Sequence, residues 1–165
     1  MGVGGAIAER LAMTVAPSRE IFLVGTIWWL LFAAYVTWME LRSVLKQRQV
    51  TGETIAQSIS IYLLLGFAWG LFYIVLFQLQ PNAFNFGGSP NPVSGGPSGI
   101  ESVFRVLIYF SLTTLSTIGF GDITPLTLQA RYFAVAEGIT GQFYLAILVA
   151  RLVGLHMSQS EKAAN

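Results

Sequence analysis

An apolar run from Val103 to Leu115 stops short of a membrane's width, and Thr117-Ile118-Gly119-Phe120-Gly121-Asp122 follows at once. Ser98, with Glu101 three residues on, is a capping-box signature for a helix start. At about 1.5 Å per residue, a helix from there to Ser116 cannot cross a hydrocarbon core of about 30 Å. Helix that ends at membrane depth and continues as irregular backbone is tolerated only where protein buries it or water fills the space beside it. The rest of the chain has to provide one of those two conditions.

A membrane setting follows from composition. Hydrophobic residues are 54% of the chain and charged residues 10%, whereas an ordinary soluble domain is about 25% charged. The apolar residues gather into runs of spanning length, about 20 residues each. Gly-x-Gly at 119 and 121 lets the backbone take left-handed φ at two positions, so successive carbonyls can point the same way. Such carbonyls from several copies of a chain, aimed into one axis, can replace the water around a bare monovalent cation. Thr113, Thr114, Ser116 and Thr117 bring hydroxyls to the approach, Asp122 closes the motif, and Thr124-Pro125 makes a turn.

Taken in order, residues 1–18 read as an N-terminal segment, either a surface helix or the stump of a longer one. They are too polar for a cleaved signal peptide. Residues 19–50 hold a spanning helix, Ile21 to Leu41, with Trp28 and Trp29 nearer one end and Trp38 nearer the other, followed by Arg42, Lys46 and Arg48. By the positive-inside rule, the basic loop 42–53 and the tail 157–165 are cytoplasmic. Residues 51–156 form the next unit: outer helix 54–80, loop 81–98, short helix 99–116, irregular segment 117–122 and last helix 129–156. The loop has no Lys or Arg and suits the outer side, and the tail after His156 is too short to fold. Gly66 and Gly70 have small-xxx-small spacing, which fits either a helix contact face or glycines that a membrane helix merely tolerates.

Thr-Ile-Gly-Phe-Gly-Asp resembles the Thr-Val-Gly-Tyr-Gly-Asp signature of potassium channels, with Ile118 for Val and Phe120 for Tyr. The resemblance runs from Ile55 to His156 as outer helix, turret, pore helix, filter and inner helix, in the manner of bacterial two-transmembrane pores, with one additional N-terminal helix. It implies an all-α membrane protein forming a homotetrameric pore in the lipid bilayer, in the plasma membrane. The carbonyls of Thr117, Ile118, Gly119 and Phe120, with the Thr117 hydroxyl below them, would hold K⁺, and Gly121 would complete the turn to the outer mouth. Four copies of Asp122 would ring that mouth and concentrate cations.

Gly141, Gln142 and Glu137 are the candidates for cavity or gating roles, the first by the resemblance and the other two by their place in the last helix. Gly141 falls at the family's hinge glycine, though close packing with Gly138 and Ala134 against the pore helix explains it equally. Gln142 is expected to face the cavity. Glu137, inside the last helix, is expected to brace the back of the pore helix around Thr113 or Ser116, or else to meet an ion. Arg105 is expected at the outer interface or paired with Glu101. Arg151 can snorkel to the interface, and His156 is the one histidine that could titrate near neutrality. Phe120 lacks the hydroxyl with which the family's tyrosine braces the filter. Tyr109 and Phe110 are expected to pack around it, and a filter selective for K⁺ but more prone to collapse follows. Thr113 stands where some relatives carry an acid that pairs with the aspartate.

Two other readings share the sequence: a non-selective monovalent cation channel, and a non-conducting accessory subunit whose glycine turn is only structural. The first helix lacks the repeated arginines of a voltage sensor. An enzyme is disfavoured, since no metal spacing, P-loop or Ser-His-acid set is present. A net charge of +1 gives no footing for a nucleic-acid partner. No cysteine is available for a disulfide or thiolate site.

Overall fold

A computed structural model describes residues 19–46, 51–87 and 97–164. Its elements are α1 (Arg19–Lys46), α2 (Gly52–Leu79), β1 (Phe84–Asn85), α3 (Pro97–Leu115), β2 (Thr124–Pro125) and α4 (Leu128–Ala164). Among the described residues, three helices are long and apolar enough to cross a membrane, over Leu23–Lys46, Gly52–Leu79 and Leu128–Gly154, while the apolar part of α3, Ser102–Leu115, is too short.

The start of α2 is set by Thr51, whose hydroxyl accepts from the Thr54 amide at 3.3 Å while the Thr51 amide reaches the Thr54 hydroxyl at 3.4 Å. A threonine thus takes the place usually held by Glu or Gln in a capping box. Helices α1 and α2 pack antiparallel. Gln57 donates to the Glu40 carboxylate at 2.6 Å near one end, and Gln78 reaches the Thr26 hydroxyl at 3.4 Å near the other.

Gly66 and Gly70 form a contact face. A Cβ on Gly66 would sit 2.7 Å from Leu112 Cδ2, and one on Gly70 would meet the Ile108 side chain. Without side chains at these two positions, α3 lies against the α2 backbone, which in lipid is the main source of helix cohesion. The ring of Tyr73 then completes the core, with Phe110 at 5.2 Å and Phe84 at 5.6 Å between centroids, and Phe84 also meets Phe110 at 5.3 Å.

Two short strands join the outer loop to the segment after Asp122. Phe84 pairs with Pro125 and Asn85 with Thr124, and the Leu126 amide donates to the Ala83 carbonyl at 2.8 Å. Gly87, at φ +61°, lies against the Asp122 carbonyl, where a Cβ would collide.

Two expectations need correction. Helix α3 begins at Pro97, so Ser98 lies inside it rather than capping it. Proline's fixed φ and missing N–H suit the first helical position. Helix α4 runs on to Ala164 instead of ending near His156. The spanning segment supplies a nucleus already formed, and Ser-Gln-Ser-Glu-Lys-Ala-Ala contains enough helix formers to extend it. Residues 1–18, Arg48, residues 88–96 of the outer loop and the side chains of Glu101 and His156 lie outside the described residues.

Candidate ion path

Helix α3 ends at Leu115, against α2 and α4, and the carbonyls of its last turn find partners in the segment that follows. The Thr117 amide donates to the Thr114 carbonyl at 3.0 Å, and the Ile118 and Gly119 amides both donate to the Thr113 carbonyl, at 2.9 and 3.2 Å. The Leu115 carbonyl accepts from the Tyr62 hydroxyl at 3.1 Å. A helix end that would otherwise leave polar groups in hydrocarbon is satisfied.

Those bonds turn the amides of 117–119 towards the protein. The backbone then alternates: φ is +60° at Thr117, +52° at Gly119 and +79° at Gly121. Left-handed residues at every second position undo the alternation of carbonyl direction found in a strand. Among the described residues, no hydrogen-bond donor reaches the carbonyls of Thr117 to Gly121. Thr117 is the one non-glycine with positive φ among them, at a cost of about 1–2 kcal/mol. Glycine spacing alone did not reveal it.

The whole segment from Thr117 to Asp122 is exposed on one chain. Ile118 is 58% and Phe120 70% exposed, which leaves a large apolar surface beside unbonded carbonyls. The exposed stripe Tyr132, Val135, Ile139 and Phe143 runs along α4, at helical spacing.

Phe120 lies parallel to Tyr109, with planes 1° apart and centroids separated by 6.5 Å. Phe110 does not join them. It faces another side of α3, against Tyr73 and Phe84, because one residue along a helix turns the side chain by about 100°. Arg105 is exposed. Gln142 is also exposed, and its amide reaches the Thr117 hydroxyl at 3.4 Å, at the inner end of the segment.

Glu137 does not line a cavity. It is completely buried between α2, α3 and α4, where it accepts from the Tyr73 hydroxyl at 2.7 Å and meets the Ser111 hydroxyl at 2.5 Å. Its partner on α3 is therefore Ser111, not Thr113 or Ser116, whose hydroxyls bond back to their own helix at Phe110 and at Leu112 and Thr113. Gly141 lies against the Leu115 carbonyl, and Gly138 lies next to Thr114, where a Cβ would be 3.7 Å from the carbonyl oxygen.

A family model described as "Ion channel" matches residues 59–157, more than half of the chain. The chain belongs to the ion channel family. Its match covers most of α2, all of α3, the exposed segment and the spanning part of α4. It is similar to Protein LctB of Bacillus caldotenax, 36% identical over 91 residues, which are 55% of this chain and 62% of that protein. It is also similar to the voltage-gated delayed rectifier potassium channel KCNH1 of Rattus norvegicus, 37% identical over 78 residues, 47% of this chain and 8% of the relative. The human channel KCNH5 is 35% identical over 65 residues, 39% of this chain and 6% of that protein. The chain thus spans less than two thirds of each of these relatives. No solved structure matches it. The chain is an integral membrane protein of that family.

Proposed function

We propose that this protein is a potassium-selective channel through which K⁺ moves passively, and that four identical subunits surround the path. The observation that carries this reading is the alternating φ of Thr117, Gly119 and Gly121, which leaves a run of carbonyls without internal donors. Four such runs around an axis would offer stacked oxygen cages at Thr117, Ile118, Gly119 and Phe120, with the Thr117 hydroxyl below and Gly121 turning to the mouth. K⁺ is the permeant ion and not a resident cofactor.

In this arrangement residues 51–156 are the pore domain and residues 19–50 add an extra transmembrane helix and a basic loop. The loop 81–98 and the Asp122 ring face outside the cell. Segments 42–53 and 157–165 face the cytoplasm of a plasma-membrane protein. The exposed stripe of α4 and the exposed side chains of Ile118 and Phe120 are the surfaces that neighbouring subunits cover. The C-terminal end of α3 directs its partial negative charge towards the water-filled space below the filter, which favours a cation there. Gln142 borders that space.

A second reading keeps the pore and loosens its selectivity, and Phe120 is the reason to retain it. Its ring offers no hydroxyl to anchor the filter, and its contact with Tyr109 is one loose stack. Reversal potentials of the reconstituted protein in mixed K⁺ and Na⁺ separate the two. A shift following the K⁺ gradient supports selectivity, and a reversal near zero with opposed K⁺ and Na⁺ supports the looser pore.

A further inference from the structure

Glu137 is a fully buried carboxyl within a membrane-spanning segment, where a full charge is costly. Three short oxygen–oxygen contacts surround it. Tyr73 Oη lies 2.7 Å from Glu137 Oε2, Ser111 Oγ lies 2.5 Å from Glu137 Oε1, and Ser111 Oγ lies 2.7 Å from the Gly66 carbonyl oxygen.

Hydrogens can be counted across these contacts. Tyrosine brings one, serine brings one, and a carbonyl brings none. If Glu137 were ionised, two hydrogens would have to serve three contacts. Either Ser111 and Gly66 or Ser111 and Glu137 would then hold oxygens in close approach with nothing between them. With a proton on Glu137, each contact has its own hydrogen: Tyr73 donates to Oε2, Glu137 donates to Ser111, and Ser111 donates to Gly66. The basic side chains on the elements packed around it stand elsewhere. Arg131 bonds the Pro125 carbonyl, Arg105 is exposed, and Arg151 is about 21 Å further along the helix at 1.5 Å per residue.

We propose that Glu137 is a positioning residue for the ion path and is held as a neutral carboxylic acid. Its proton completes a chain from α4 through Ser111 of α3 to the α2 backbone at Gly66. Ser111 stands two and three residues before Thr113 and Thr114, whose carbonyls receive the amides of residues 117–119. Fixing Ser111 therefore fixes the height of the filter backbone relative to the inner helix. This rests on the reading of residues 117–121 as the ion path.

Infrared spectroscopy of the purified full-length protein at neutral pH tests the proton. A carboxylic-acid C=O band is expected that vanishes in Glu137→Gln and shifts in Ser111→Ala. The lack of a Glu137-dependent band overturns the neutral form, whether or not the protein conducts. Liposome flux tests the positioning. Glu137→Gln, which keeps one donor and one acceptor, is expected to retain the wild-type K⁺/Na⁺ ratio. Glu137→Leu should lower it about tenfold, the effect of one buried hydrogen bond worth ~1.4 kcal/mol. If Glu137→Leu does not fold, Ser111→Ala is expected to lower the ratio in the same direction. An unchanged ratio in the folded variant overturns the positioning role, and a wild type without flux overturns it together with the ion path.

Discussion

Gly141 of α4 lies so close to the carbonyl oxygen of Leu115, at the last turn of α3, that no side chain fits between them. The same carbonyl accepts from the Tyr62 hydroxyl, so outer and inner helices meet at one backbone atom. Gly141→Ala is therefore expected to push α4 away from the filter's support at a cost of about 1–3 kcal/mol, as overpacking does. Thermal unfolding of the purified protein would show it. An unchanged midpoint would mean that this glycine is not needed for the contact.

Gly70 and Ile108 give a graded case. A Cβ at Gly70 meets the far end of Ile108, which can move, and also comes within 3.1 Å of the Ile108 Cα, which cannot. Gly70→Ala is expected to destabilise by about 1–3 kcal/mol. Ile108→Val in the same chain should restore only part of that loss, because the backbone contact remains. Complete restoration in a denaturation series would place the whole clash in the side chain.

Removal of the ring under Phe120 by Tyr109→Leu should cost about 0.5–1.5 kcal/mol of aromatic contact, towards the lower end at a 6.5 Å separation. Its expected readout is a K⁺/Na⁺ permeability ratio lowered by about two- to tenfold. A ratio equal to the wild type would show that the stack does not brace the filter.

Beside the strand pair, Gly87 combines φ +61° with a close approach to the Asp122 carbonyl. Gly87→Ala is expected to cost about 1–2 kcal/mol for the left-handed backbone alone, and more for the contact. Faster amide exchange at Leu126, bonded to Ala83, is the measurement that reports it. Unaltered exchange would separate the outer loop from the strand pair.

Much of the architecture was legible because membrane physics leaves few choices. A run as short as Val103–Leu115 between two spanning lengths has to re-enter, and Gly119 and Gly121 announce irregular backbone. Less was legible where the answer depends on which faces of two helices meet. Gly66 and Gly70 fitted two readings until Ile108 and Leu112 were seen against them. Glu137 signalled a brace by its cost in the membrane, but spacing within one helix could not single out Ser111, on another helix, as the partner. Nor does a threonine announce a left-handed φ. The bonds that hold Thr117 come from carbonyls of α3, and strain of this kind persists only where the surroundings fix it. Phe84 and its partner Pro125 are far apart in the chain, and no turn signal links them.

Rb⁺ uptake into liposomes containing the purified protein, compared with the Gly119→Asp variant at equal assembly, tests the ion path most directly. Aspartate at φ +52° strains the backbone and breaks the alternation of carbonyls, so uptake by the wild type should disappear in the variant. Equal uptake by both would contradict the account.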